Sequence, residues 1–496
     1  MPHHQCAVHD KYKKGDLLMT KNILVVGASG YVGSQLVPAL AQKGYNVTAT
    51  VRDPGLFSQG SWSKLDNIKV VALNLTVNTD LSLILRDIDV VFYLVHSMNN
   101  GSNFVDIELD NARNFSDQLK MSQVKQLIYL GSLQPASSDS KHFIARKKTG
   151  DILRKSNVIV TELRAGIIVG PGSAVFEVMR DLVYHLPIMI APKCINSHNS
   201  PIAFQNLLYY LLELLKVTAT EHKILDVAGP ALISYQKQMQ IIANLTGKKV
   251  RIIPLSILTP KIAALGFKVI TSVPTNIVRA LVEGMCYDLT ADGKEIQSLI
   301  PQTLLSYEQA VAQTLENEQN IINSDVWGFD PDALSYWRPG YAYYPKQTGH
   351  SLKTDVSAEC LWRQIQLIGT QEGYFYANYL WRIREWIDHL AGGNSLTRYR
   401  SQPDKIALGD RIDSWKVIGL KENQFLSLLM GMKAPGLGRL EFRIVDKGAY
   451  RELDIRAWWH PAGFSGLLYW FALMPAHLFI FKGMTKAIVK KCKAKM

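Results

Sequence analysis

Cysteine is scarce and scattered. Cys6, Cys194, Cys286, Cys360 and Cys492 include no Cys-x-x-Cys pair, so neither a disulfide framework nor a zinc site is expected, and a reducing, cytoplasmic setting fits. Residues 1–20 hold His3, His4, His9, Lys11, Lys13 and Lys14 but no apolar stretch of the kind a signal peptide needs, and they read as a flexible tail. His3 and His4 have no ligating neighbours in the sequence, so no metal is expected there. Internal repeats and low-complexity tracts are missing, which excludes a solenoid, and no Ser-His-Asp or Cys-His grouping suggests a hydrolase. Acid is missing from residues 482–496, where Lys482, Lys486, Lys490, Lys491, Lys493 and Lys495 stand alone. Much of the net charge of +13 therefore sits directly behind the longest apolar stretch, which points to an anionic membrane surface and not to nucleic acid.

What is present is core-forming. A hydrophobic share of 47% with 20% charged residues is that of a folded chain, and 496 residues exceed one ordinary core. From Asn22 to about residue 300, short apolar runs alternate with amphipathic segments. Strands are expected over 23–26, 46–51, 69–73, 90–94, 126–130 and 158–163, with helices over 32–42, 81–85, 104–121 and 144–155. That alternation predicts an α/β fold, a doubly wound parallel Rossmann sheet. Residues 325–350 are rich in Trp, Tyr, Pro and Gly and read as an ordered connector. Beyond them, closely spaced strand-like runs over 414–418, 424–430, 439–445 and 450–459 precede a long apolar helix, the pattern of a second, C-terminal α+β domain. The expected division is a tail over 1–20, a nucleotide-binding domain over 21–324, a connector over 325–350 and a second domain over 351–496.

The most informative stretch is Gly27-Ala28-Ser29-Gly30-Tyr31-Val32-Gly33, which follows an expected strand and opens an expected helix. Gly27 suits a tight turn, Gly30 lets backbone approach a pyrophosphate, and Gly33 lets helix and strand pack closely. The phosphates would sit on the helix N-terminus, where unpaired N–H groups and the helix dipole favour negative charge. Arg52 ends the second strand, and an arginine there pairs with the 2′-phosphate of NADP; its neighbour Asp53, facing the ribose instead, would select NAD. NADP and NAD both stay open on these residues.

Those stretches, together with Tyr93-Leu94-Val95-His96-Ser97-Met98, Leu130-Gly131-Ser132-Leu133, Leu163 to Gly170 and Pro201-Ile202-Ala203, resemble atypical short-chain dehydrogenase/reductases of the NmrA-like kind, in a bacterial two-domain form. The likeness runs from about Lys21 to Lys486. It implies cofactor contacts at Gly27, Ser29, Gly30, Tyr31, Val32, Gly33 and Arg52, at Asn74 and Leu75 near the adenine, and at Leu94, Val95 and His96 past the fourth strand. Reductases of this kind use a serine after the fifth strand and a Tyr-x-x-x-Lys on the next helix. Ser132 fits the serine, but the only comparable helix spacing is Phe143-x-x-x-Lys147, and phenylalanine has no proton to give. Ser132, Lys147 and His142 are the expected catalytic residues, with Tyr93 and Tyr184 as other donors, and catalytic groups from the second domain remain a further reading. For the C-terminal domain the resemblance implies a START-like helix-grip fold, with Trp458, Trp459, Tyr469, Trp470 and Phe471 lining an apolar pocket or filling a core.

Residues 464–481 (FSGLLYWFALMPAHLFIF) carry no charge and are at the lower limit of a membrane span, while Pro475 argues for a buried helix instead. A cytoplasmic protein touching the membrane face peripherally through this helix and its lysines is expected. The sequence thus leads to an NADPH-dependent oxidoreductase acting on a hydrophobic small molecule, with residues 172–300 capping the cleft. The rival is a non-catalytic NAD(P)H redox sensor.

Overall fold

The computed structural model describes residues 21–52, 54, 65–77, 79–97, 103–271, 273, 275–316, 338, 340–390, 392–393 and 405–494. The expected tail, Asp53, Met98 and most of the expected connector lie outside the described residues.

Seven parallel strands form the first sheet: β1 (Asn22–Val26), β2 (Asn46–Val51), β3 (Ile68–Ala72), β4 (Val90–Tyr93), β5 (Gln126–Ser132), β6 (Ile159–Ala165) and β7 (Lys223–Val227). Their order is β7-β6-β5-β4-β1-β2-β3. Apolar runs without alternation build it because helices cover both faces. Ile23 and Val25 enter one core with Phe92, Ile128 and Leu163, while Leu24 and Val26 enter another with Val91, Tyr93 and Leu127. The helices that position the site are α1 (Tyr31–Gln42), α2 (Phe104–Leu119), α3 (Lys141–Leu153), α4 (Ala174–His185) and α5 (Thr275–Gly284). The strand order reverses between β1 and β4, so their carboxyl ends open a crevice there, the usual ligand position in such sheets.

The second sheet is antiparallel: β8 (Lys346–Thr354), β9 (Arg411–Ile412), β10 (Trp415–Lys421), β11 (Phe425–Met430), β12 (Gly436–Asp446) and β13 (Arg451–Pro461), in the order β8-β13-β12-β11-β10-β9. Helix α6 (Asn378–Leu390) flanks it, and the 31-residue α7 (Gly463–Lys493) packs along β8 and β13. The core between them holds Phe442, Ile455, Trp459, Trp470, Phe481 and Met484. Of the aromatics expected in a pocket or core, Trp459 and Trp470 are buried core, Trp458 stacks on Arg439 at 5.2 Å, and Phe471 is exposed. Pro475 lies inside α7, on its exposed side, and the helix continues past it.

One expectation fails here. Cys194 and Cys286 are paired as a disulfide across 92 residues. No sequence spacing could signal this, because the pairing follows from the packing of both segments onto a shared apolar core around Met189, Met239 and Val278.

The domains meet at α4, buried without interruption from Phe176 to Val183 although it carries Glu177, Arg180 and Asp181. Arg180 pairs with Glu177 at 2.9 Å and donates to the Tyr341 carbonyl at 2.9 Å. Tyr344 Oη donates to the Gly172 carbonyl at 2.7 Å, and His460 Nδ1 donates to that of Ala342 at 2.8 Å. Burial pushes the Glu177 carboxyl up to about 7 from its ordinary 4.5, against the opposing pull of Arg180 and the Gly172 N–H. The folded chain therefore keeps a proton that the unfolded chain releases above about 4.5. Stability from this group is full below about 4.5 and declines as pH rises to about 7, at up to about 1.4 kcal/mol per pH unit. Urea unfolding midpoints across that window should show the decline in the native chain, and Glu177→Gln should remove it.

Candidate functional site

At the crevice, Gly27 has φ +90°, and a Cβ there would stand 3.1–3.3 Å from the Leu94–Val95 backbone. Gly30 caps α1 through backbone alone, with no side-chain cap and no acid in the first turn, so the helix N-terminus is bare. A Cβ on Gly33 would fall 2.4 Å from the Gly27 carbonyl oxygen and 2.8 Å from Ala28 Cα. Side chains are excluded where a pyrophosphate needs backbone N–H groups, which is the fit a dinucleotide requires.

This cradle is the floor of a cavity of about 920 Å³. Gly27, Ser29, Gly30, Tyr31, Val32, Gly33, Arg52, Asn74, Leu75, Leu94, Val95 and His96 all line it. Arg52 is exposed at its edge, and Asn74 Oδ1 accepts from the hydroxyl and N–H of Thr76 at 2.8 and 3.2 Å.

Of the expected catalytic residues, the structure brings Ser132 and His142 to the cavity wall and leaves Lys147 out. Lys147 is exposed to solvent; one helical step, about 100°, separates it from Arg146, which does face the cavity. The i, i+4 pair lining the cavity is thus His142 and Arg146, although Phe143 also reaches the wall and packs on Leu133 and Leu289. Tyr93 is fully buried between Phe115 and Tyr129, and neither Tyr93 nor Tyr184 lines the cavity, so neither phenol is placed to donate there.

Sequence reasoning missed a buried carboxylate just behind the cavity wall, that of Glu108. It is 1% exposed on α2 and accepts from His96 Nδ1 at 2.9 Å, Ser97 N at 3.1 Å and Arg146 Nη1 at 3.2 Å. Burial alone would push this carboxyl up; the His96 hydrogen bond, the Arg146 guanidinium and the Ser97 N–H together hold it well below the usual range. Arg146 also donates to the Val95 carbonyl at 3.1 Å and to the Leu130 carbonyl, tying together the ends of β4 and β5. The His142 ring lies 5.3 Å from that of His96, with Nδ1 enclosed and without a partner. Burial first, then the neighbouring His96 ring and the Arg146 guanidinium, drive its pKa down to about 3, so it is neutral near pH 7. A signal was available: Glu108 occupies the helical stripe of Ala112, Phe115 and Leu119, where an acid needs a buried partner, whereas Asp106 and Asp110 stand outside that stripe.

A Cβ at Gly33 must push α1 off β1. Gly33→Ala should weaken NADPH binding by at least about tenfold and cost about 1–3 kcal/mol of stability, read by fluorescence titration and urea unfolding.

A family model described as NAD(P)H-binding matches residues 27–173, and one described as a protein of unknown function (DUF2867) matches residues 343–484. No curated protein matches the sequence. Among solved structures, a UDP-glucuronic acid 4-epimerase from Bacillus cereus, in complex with UDP-glucuronic acid and NAD, is 15% identical over 60% of this chain and 99% of its own, with a TM-score of 0.46. A nucleoside-diphosphate-sugar epimerase from Staphylococcus aureus is 12% identical over 59% of this chain and 100% of its own, with a TM-score of 0.48. A UDP-glucose 4-epimerase from Thermotoga maritima is 15% identical over 61% of this chain and 100% of its own, with a TM-score of 0.46. With its glycines forming the cavity floor and residues 27–173 matching the NAD(P)H-binding model, the seven-stranded sheet belongs to an NAD(P)-binding Rossmann domain.

Proposed function

We propose that the chain is an NADPH-dependent oxidoreductase acting on a hydrophobic small molecule that carries a carbonyl or quinone oxygen. The observation that supports this reading is His96 on the wall of the cavity that the nucleotide cradle floors, held from behind by the buried Glu108 carboxylate. Bound in that cradle, NADPH supplies a hydride. The glycine backbone and the α1 N-terminus would hold its diphosphate, and Arg52 its 2′-phosphate. Glu108 fixes the tautomer in which His96 donates from Nδ1, which leaves Nε2 to deliver or accept the proton that balances a reduced or oxidised oxygen. Ser132 and neutral His142 offer hydrogen bonds to that oxygen. Ile107, Ile277, Ala280, Leu281 and Leu289 give the cavity an apolar wall that suits a hydrophobic molecule and excludes water.

A second reading, a non-catalytic redox sensor, draws on Phe143 standing at the tyrosine spacing and on Arg146 being engaged by Glu108 and two carbonyls.

NADPH oxidation by the purified chain, followed against a panel of quinones and apolar aldehydes, tests the first reading. His96→Ala should lower the rate about a hundredfold or more while NADPH affinity stays within a few-fold. The sensor reading instead requires unequal affinities for oxidised and reduced cofactor, no turnover on any panel member and no effect of that variant on either affinity. Arg52→Ala should weaken NADPH by about 10–100-fold and NADH far less, by loss of a charge-assisted contact; equal losses would reject Arg52 as the phosphate partner.

A further inference from the structure

Helix α7 has a face inside the domain near its start and again from Ile480 to Cys492. Trp470, Ile480, Phe481, Met484, Ile488 and Cys492 are buried in the core of the second sheet. The opposite face is exposed and changes character midway: Phe464, Leu468, Phe471, Leu478 and Phe479 come first, then Lys482, Lys486 and Lys490. At 100° per residue these eight positions share one stripe. The helix carries no acid, and these three lysines make no ion pair among the described residues, whereas Lys491 and Lys493 pair with Glu372 and Asp355. Beside it, α6 exposes a second apolar face of Tyr379, Ile383, Trp386, Ile387 and Leu390, spaced to lie on one side of that helix. The two elements touch, Arg384 lying over the Tyr469 ring at 5.6 Å, and Tyr376, just before α6, packs against Phe479 at 5.2 Å.

We infer that the exposed faces of α6 and α7 form a docking surface for an anionic lipid leaflet, on which the protein lies without crossing. Large exposed apolar faces on adjacent helices mark an interaction site. The cationic continuation of the same stripe selects a negatively charged partner, with the aromatic and aliphatic side chains entering the headgroup–acyl boundary and the lysines meeting the headgroups. Length alone would permit a span, since 31 residues reach about 46 Å against about 30 Å of hydrocarbon. The buried face forbids it, because insertion would strip Trp470, Phe481, Met484 and Ile488 from the sheet. In keeping with a helix that is neither wholly core nor wholly free, only 28% of its most apolar 18-residue window is buried.

Sedimentation of the full chain with vesicles tests this. It should pellet with equimolar phosphatidylcholine and phosphatidylglycerol at low salt and stay in solution with phosphatidylcholine alone. The triple variant Lys482→Glu, Lys486→Glu, Lys490→Glu should reduce partition at least about tenfold. A second variant, Trp386→Ser with Leu468→Ser and Phe471→Ser, should do so independently, with NADPH affinity unchanged in both as the check on folding. The inference is overturned if the native chain ignores the anionic vesicles, if both variants bind as well as it does, or if membrane-bound material from cells resists alkaline carbonate and yields only to detergent. It is equally overturned if the native chain is a dimer without vesicles and the apolar variant is a monomer, which would assign the face to a second copy.

Discussion

A single desolvated negative charge organises the end of the cavity around His96 and Arg146. Glu108 is enclosed at the point where β4 and β5 end, and a carboxylate there is tolerable only when its oxygens are occupied by donors, preferably cationic ones. That requirement places Arg146 under it and His96 beside it. Arg146, once drawn in, spends its remaining donors on the Val95 and Leu130 carbonyls, which sets the width of the crevice between the two strands. His96 is turned so that one ring nitrogen is fixed and the other is available. Burial, reinforced by the nearby Arg146 guanidinium, keeps His142 neutral. Crevice width and histidine tautomer therefore share one electrostatic origin.

The cofactor end obeys a different constraint, that of absent atoms. No side chain fits at Gly33, and none caps the N-terminus of α1. This end was legible in the sequence because backbone demands of that kind leave glycines at fixed spacing after an apolar run, and every residue expected at the cofactor lines the cavity. The parallel sheet was legible for a related reason: strands buried on both faces read as continuous apolar runs.

The end around Glu108 and Arg146 was not legible, and the particular residues show why. Phe143 and Lys147 have the spacing of a tyrosine–lysine pair but are one step out of phase with His142 and Arg146, and spacing carries no phase until the helix is docked. Glu108 lies far along the chain from Arg146, on another helix, so only the fold reveals the pair. The Cys194–Cys286 pairing is hidden in the same way. Tyr344 belongs to a stretch read as a mere connector, yet it lines the cavity and donates to the Gly172 carbonyl. Long-range partners chosen by packing leave no periodic trace.

The second domain is therefore part of the nucleotide site's construction. Tyr344 closes one side of the cavity, and two residues on, Lys346 donates to the Val269 and Thr271 carbonyls, just before α5 supplies Ile277, Ala280 and Leu281 to the apolar wall. The same Lys346 nitrogen lies 5.9 Å from the centre of the Phe471 ring, on the exposed stripe of α7. A short run of contacts thus joins the stripe that the lipid surface would occupy to the segment that opens the cavity's apolar wall.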